Sequence, residues 1–517
     1  MSRLGKYYLT TAISYPNDKP HLGHVLEVVG TDVQARFRRL IGHEVFFLTG
    51  TDEHGQKIPQ TAAKQGIEPR ELVNRHAPQF QELYKKLEIS NDDFIRTTQE
   101  RHHKAVQKFW QAAADNGYIY TGHYEGWYDT REENYITETE LKARNQSTDD
   151  PFIRWMKEEA FFFKLSAFQD RIEQLFADNP EFCLPDFRAR EMLGSFIRPG
   201  LNDLCISRSS IDWGIPVPGT PGHVVYVWFD ALTNYLSGIG YGSDEGWTKW
   251  WPCDCHVIGK DILKFHTIIW PAMLMAAGIE PPKRVFGHGF MLIDKEKMSK
   301  SKGNVVDPYD LIDAYGVETL RFYLMRESNF GNDGEFDVGN LIKRYNDDLA
   351  NGVGNLLSRS LTLIEKNLGG TIAGASTSAA ESAEIRNLFE SIVDGYEKAM
   401  PAFEYATALA KVFEGQAALD RYINDKKPWA MAKDPAQKEA LTGVLYTMAE
   451  GLRMIASLIC PFLPLTAEEM WRRLGMGRAI MEVEWPDHRK WGLLADGARV
   501  TKGAPMFPKL EMPAEEE

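Results

Sequence analysis

Between residues 7 and 14 the chain reads YYLTTAIS, aromatic and β-branched, which predicts a strand. A turn-rich stretch, YPNDKP, follows at 15–20. Over 22–39 the apolar residues Val25, Val28, Val29, Val33 and Phe37 recur at helical spacing, and a second strand, EVFFLT, is expected at 44–49. Strand, helix, strand in this order is a βαβ unit and implies a parallel sheet. Two further helices are expected over 68–87 and 99–116.

From 117 to 225 short aromatic runs alternate with Pro, Gly and Asn, which reads as a mixed α/β insertion. Strand signals return at 224–229 (VVYVWF), 256–258 and 284–286, with a helix over 262–277 among them. The fold expected is therefore α/β, a doubly wound parallel sheet interrupted and then completed. Beyond 345 long helical periods take over, at 349–368, 383–399, 404–423, 436–459 and 465–474, and predict an all-helical domain. The last stretch, from 481, is rich in Pro and Gly and ends in an acidic run.

Composition narrows the function classes. The 517 residues suggest roughly three domains. With 43% hydrophobic and 26% charged residues, neither a disordered chain nor a membrane-dominated one is expected. Acidic residues outnumber basic ones, 73 to 59, so the net charge of -14 excludes sequence-blind coating of nucleic acid while permitting local contacts with one folded RNA. The five cysteines, Cys183, Cys205, Cys253, Cys255 and Cys460, form no C-x-x-C pair. Reduced thiols and a cytoplasmic location are expected. No signal peptide and no membrane span are read from the chain.

Two motifs carry chemistry. His21-Leu22-Gly23-His24 falls at the first strand-to-helix turn, where free backbone N–H groups and the helix dipole favour phosphate. Two histidines three residues apart share a helical face and can donate to phosphoryl oxygens. Alone, the motif is equally compatible with a capped helix bearing surface histidines. Lys297-Met298-Ser299-Lys300-Ser301 lies in a loop crowded by Lys295 and Lys302 and closed by Gly303. Such a loop suits neutralisation of a pyrophosphate leaving group, or it is simply solvated charge.

Together the two motifs form the paired signature of class I aminoacyl-tRNA synthetases, and the chain resembles the methionyl-tRNA synthetase family over nearly its whole length. The resemblance is carried by AISYPNDKPHLGH, TGTDEHGQK, YVWFDALTNY, GKDILKFHTIIWPAML, RYNDDLANGVGNLLSR and Lys427-Pro428-Trp429. It implies a Rossmann-type catalytic sheet, a connective insertion and a helical anticodon-binding bundle. Boundaries are expected at 1–116 and 226–290 for the two catalytic halves and 117–225 for the insertion. The KMSKS loop and stem-contact region would take 291–345, the anticodon domain 346–480 and the tail 481–517.

The resemblance also implies residue roles. His21, Gly23, His24, Gly259, Asp261, His288, Lys297 and Lys300 would bind ATP with its Mg²⁺, and His21, His24, Asp261 and Lys300 would act in catalysis. Ala12, Ile13, Tyr15, Asp52, Trp228, Ala231, Leu232, Tyr235, Ile262 and His266 would bind L-methionine, with Asp52 on its ammonium. Asn355, Arg359 and Trp429 would read the CAU anticodon of tRNA(Met). Aromatic and small side chains suit a flexible thioether, and a splayed anticodon base suits stacking on a Trp.

Many relatives carry Cys-rich zinc knuckles in the insertion; here that place reads YDTREENYITETEL, so no structural zinc is expected. Charged and aromatic contacts around Glu125, Trp127 and Arg131 would have to replace it. The insertion is too short for a separate editing domain, and without an appended OB module a monomer is expected. Three alternatives stay open: a class I synthetase for another amino acid, a small-molecule nucleotidyltransferase of the same fold, and an inactive RNA-binding paralogue.

Overall fold

The computed structural model describes residues 4–130, 134–136, 141, 147–209, 211–243, 245–293, 295–297, 306–374 and 382–512. The chain divides into two compact units: Lys6–Thr31 with Val45–His288, and Met1–Gly5 with Asp32–Glu44 and Gly289–Glu517.

In the first unit, six strands among the described residues form one sheet, in the order Asp93–Arg96, Glu44–Thr51, Lys6–Ser14, Cys255–Gly259, Val285–His288, Cys183–Leu184. Lys6–Ser14 runs parallel to Cys255–Gly259, with Leu9 opposite Cys255 and Thr11 opposite Val257. Cys255–Gly259 runs parallel to Val285–His288, which brings Gly259 opposite His288. Tyr8, Leu9, Phe47, Leu48, Val257 and Ile258 are fully buried, as expected for a parallel sheet covered on both faces. The strand order reverses between Lys6–Ser14 and Cys255–Gly259, and crevices at such switch points, beyond the carboxyl ends of the strands, are where doubly wound sheets hold ligands.

The span 117–225 contributes more than a side sheet. Its edge strand Cys183–Leu184 pairs in parallel with Val285–Phe286 and so belongs to the main sheet. The rest includes a four-stranded sheet whose long strands, Ile119–Asp129 and Ile153–Phe163, pair antiparallel. Ile136, Leu141 and Ile153 form a small apolar core there with Trp127 packed on it, and Trp127 meets Trp155 edge-on at 5.1 Å. Arg131 and the side chain of Glu125, expected to help hold this region, lie outside the described residues.

Two expectations for this unit need correction. The run VVYVWF is a strand only at Val224–Val225; from Val227 to Leu232 it is helix. A short apolar run fits either element, and Tyr226, extended, ends the strand. The helix expected over 262–277 is not uniform. It opens as a 3₁₀ turn (Lys260–Ile262), widens to a π-turn (Phe265–Ile269) and becomes α-helical over Trp270–Ala276. Pro271 has no N–H to give the carbonyl one turn back, which favours the widened turn.

The second unit is mostly helical. A three-stranded sheet joins Met291–Ile293 to Glu296–Lys297 and Gly334–Glu335. Helices follow at Asn355–Leu368, Ala383–Ala399, Tyr405–Lys426, Lys438–Ile459 and Pro464–Arg473. Lys438–Ile459 is buried from Gly443 to its end, the place of a central bundle helix. Its Glu450 accepts the N–H groups of Gly492, Leu493 and Leu494 at 2.8, 3.2 and 3.0 Å, which fixes the segment after the last long helix. Buried Arg321 donates to Asp32 at 2.7 Å and to the carbonyls of Pro461 and Phe462. Three acceptors, one of them of opposite charge, offset the desolvation of the guanidinium.

Candidate active site

The sequence places its chemistry at the carboxyl ends of the central strands. The helix Leu22–Leu40 begins directly after His21, and both histidines of the motif act on its first turn. The N–H of Gly23 donates to Nδ1 of His21 at 3.1 Å, and the N–H of His21 donates to Nδ1 of His24 at 3.0 Å. An Nδ1 that accepts is unprotonated, so the neutral rings carry hydrogen on Nε2. The rings lie 3.9 Å apart. Burial, and then the neighbouring His21, holds the His24 pKa well below its ordinary value, so the ring is neutral at pH 7. The result is a pair of Nε2–H donors at a helix N-terminus.

One turn further on, Glu27 accepts from His288 Nε2 at 3.0 Å. Burial raises the Glu27 pKa, and His288 works against that rise. A methyl group at Gly259 would lie 2.8 Å from Oδ1 of Asp261 and 3.8 Å from Nε2 of His288. Any side chain at 259 would therefore fill the space these groups share. Gly259, Asp261 and His288 are thus gathered around Glu27, which sequence reasoning missed; its position three residues after His24 was the available signal.

Asp52 follows the strand Glu44–Thr51 and is 6% exposed. Its N–H bonds to the carbonyl of Ser14 at 2.9 Å. Gly50, two residues before it, has no room for a side chain, since a methyl group there would overlap the carbonyl oxygen of Ile95. Glu53, fully buried, takes Thr51 Oγ1 at 2.8 Å, Arg96 Nη2 at 3.1 Å and the hydroxyl of Thr98. The next residue, His54, donates from Nδ1 to Oδ2 of buried Asp230 at 2.7 Å. The Tyr15 hydroxyl donates to the carbonyl of His54.

Beside this loop lies an aromatic group. Trp228 stacks on Phe265 with centroids 3.7 Å apart and planes 6° from parallel, and meets His266 edge-on at 6.3 Å. Nδ1 of His266 donates to the carbonyl of Ile262 at 3.0 Å, which leaves Nε2 to accept from the Tyr235 hydroxyl at 2.7 Å. Burial lowers the His266 pKa to about 4, so the pair is neutral at pH 7. Ala12, Ile13, Tyr15, Trp228 and Ile262 are partly buried on one core that also contains Leu232 and Tyr235. Ala231 is buried one residue before Leu232. Phe265 was missed by the sequence reading, because the π-turn that brings it to Trp228 is invisible to a helical period.

In the helical unit, Asn355 opens the helix Asn355–Leu368 and is exposed. Arg359 donates to Asn424 Oδ1 at 3.1 Å and lies 3.7 Å from Asp420, both on Tyr405–Lys426. That helix ends at Lys427 with φ +49°, and Pro428 starts the next short helix. The sharp turn leaves Trp429 44% exposed. Lys300 lies outside the described residues, and of Lys297 only the backbone, opposite Leu292, is described.

Comparison with known proteins decides the family. A family profile described as "tRNA synthetases class I (M)" matches residues 7–145 and 144–361, and one described as "Anticodon-binding domain of tRNA ligase" matches 382–503. The methionine–tRNA ligase of Bacillus subtilis is 46% identical over 525 residues, covering 99% of this chain and 78% of the relative. The chain belongs to the methionine–tRNA ligases. The Brucella suis ligase is 47% identical over 472 residues, 90% of this chain and 91% of its own. The solved methionyl-tRNA synthetase of Mycobacterium tuberculosis in complex with methionyl-adenylate superposes with a TM-score of 0.90 at 39% identity, covering 98% of this chain and 100% of that one. Within this ligase family, the two histidines, the Asp52 loop and the Trp228 group are the parts to assign.

Proposed function

We propose that the chain joins methionine to the α-phosphate of ATP at the crevice of the first unit and then transfers it to tRNA(Met). The observation that carries this reading is the neutral Tyr235–His266 pair beside the Trp228–Phe265 stack, in the same unit as two Nε2–H donors at a helix N-terminus. One group suits an uncharged thioether, the other a phosphate.

The methionine carboxylate is already ionised at pH 7, so no base is needed. One of its oxygens attacks the α-phosphorus, a new O–P bond forms, and the bond to the β-phosphate breaks with release of pyrophosphate. Asp52 pairs the methionine ammonium. His21 and His24 donate to phosphoryl oxygens as charge develops. Asp261 sits toward the ribose, with Gly259 and His288 beside it. Lys300, with Lys297, neutralises the triphosphate, as the resemblance implies. ATP enters as its Mg²⁺ complex, the cation riding on the phosphate oxygens as part of the substrate. In the second step the terminal adenosine's 2′-OH attacks the activated carbonyl and AMP leaves.

Asn355, Arg359 and Trp429 read the CAU anticodon, Trp429 by stacking. The domain boundaries given above, a monomer and a cytoplasmic location belong to the same reading. So does an insertion held without zinc: residues 117–182 contain no cysteine, and their described core is apolar. No helix among the described residues is long and apolar enough to cross a membrane.

The test is aminoacylation of tRNA transcripts with labelled methionine. Charging of a CAU transcript and loss of charging when the anticodon is changed is expected. Equal charging of both would overturn the anticodon assignment, and charging of neither would overturn the transfer step.

A further inference from the structure

One buried polar cluster has no role in the reaction described above. Asp230 is fully buried, yet both of its carboxylate oxygens are taken by histidines: Oδ2 by His54 Nδ1 and Oδ1 by His102 Nε2, each at 2.7 Å. Because an ionised carboxylate only accepts, both ring nitrogens facing it carry hydrogen. The other nitrogen of His102 meets Ser237 Oγ at 2.8 Å. His54, 3% exposed, is also packed edge-on to Trp213 at 5.7 Å, and the Trp213 indole donates to the carbonyl of Glu53 at 2.7 Å.

A buried carboxylate is costly, and one placed only for packing would be replaceable by an apolar residue. What distinguishes this one is where its partners lie. Asp230 is on the helix Val227–Leu232, two residues from Trp228 and beside Ala231. His54 is two residues from Asp52, and its carbonyl is the acceptor of the Tyr15 hydroxyl. Three separate elements assigned to methionine therefore meet at residue 54: the loop after the first strand at its carbonyl, the Trp228 helix at its imidazole, and the Asp52 loop that carries it.

We infer that His54, clamped by Asp230, is a positioning residue for methionine recognition, setting Asp52 and Tyr15 against the Trp228 helix. Its proposed action is through Asp52 and Tyr15, not on the reacting atoms. The inference rests on the reading that Asp52 and Tyr15 meet methionine, and its test keeps the two apart.

The experiment is tRNA-independent ATP–pyrophosphate exchange at varied methionine and varied ATP, with circular dichroism and a thermal melt for each variant. His54→Ala is expected to raise the methionine KM by about ten-fold or more while the ATP KM stays within about two-fold. His54→Asn, whose amide nitrogen falls near the lost Nδ1–H, is expected to restore most of the methionine KM. Asp230→Asn, which keeps shape and loses charge, should shift the methionine KM in the same direction. Asp52→Asn is run alongside. If Asp52→Asn raises the methionine KM and folded His54→Ala lowers only the melting temperature, the clamp is overturned and the pocket reading stands. If Asp52→Asn leaves methionine KM unchanged, the pocket reading fails at that residue, whatever His54 does. Should His54→Ala not fold, an unchanged methionine KM in Asp230→Asn overturns the clamp instead.

Discussion

The crevice of the sheet unit and the exposed face of the helical unit handle different ligands in different ways. In the crevice Asp52, Tyr235, His266 and His288 are buried, and His21 and His24 are half-buried and bonded to the first turn of their own helix. Asp52 is followed by Glu53, tied to Arg96, and by His54, tied to Asp230. His266 and Tyr235 satisfy each other in a neutral pair. On the helical face Trp429 is open to solvent, Asn355 is exposed, and Arg359 is steadied by Asn424 and Asp420. A small ligand with one thioether and a reacting phosphate needs groups fixed before it arrives, because misplacement is charged to the barrier. An RNA loop supplies its own shape and many contacts, and needs only a flat ring and a few donors held at one edge.

The largest effect that would break this contrast concerns the histidines. His24→Ala removes an Nε2–H donor aimed at developing charge, and kcat for pyrophosphate exchange should fall by roughly 100-fold to 1,000-fold. Binding of tRNA, measured by filter retention, should be unchanged. A parallel loss of tRNA binding would mean the two regions are not separable.

Trp429→Ala is the mirror experiment. Loss of one base stack, about 1–3 kcal/mol, should lower kcat/KM for tRNA charging by about five-fold to 150-fold. Exchange without tRNA should stay as it was. Tyr235→Phe comes next. It removes a buried hydrogen bond to His266 worth about 1 kcal/mol, so the methionine KM in exchange should rise roughly five-fold.

The dependence of stability on pH touches folding rather than either ligand. Burial lowers the His266 pKa to about 4, against an unfolded value near 6.5. Between those values the unfolded chain binds more protons than the folded one, so acid favours unfolding. The melting temperature should fall as pH drops from about 6.5 towards 4 and should be insensitive to this group above pH 7. His488 in the helical unit, lowered to about 4 by burial and then by Arg453, adds the same sign there. His266→Gln should flatten the dependence, as read by melts at stepped pH.

Local signals in the sequence reached far into both regions. The strand-turn-helix carrying His21 and His24 is legible from YYLTTAIS and the periodic valines that follow. The long helices of the second unit follow from their spacing alone. Trp429 is singled out by the resemblance that Lys427-Pro428-Trp429 carries, and in the structure one helix ends at Lys427 and the next begins at Pro428. What escaped was non-local or irregular. The clamp joins His54, His102 and Asp230 across 176 and 128 positions of chain, and no periodicity links residues so far apart. A π-turn hides Phe265 from any helical period, and VVYVWF fits a strand and a helix pattern alike, because it is an apolar aromatic run. Apart from its place three residues after His24, nothing in the sequence marks Glu27, an acid on a helix, as different from a solvated one, whereas in the structure it is held by His288.

The central claim, that the crevice alone selects and activates methionine, is tested most directly by ATP–pyrophosphate exchange without tRNA, run with each of the twenty amino acids in turn. Exchange that depends on methionine and on no other is the expected result. Exchange supported by a different amino acid, or by none in folded protein, would contradict the account.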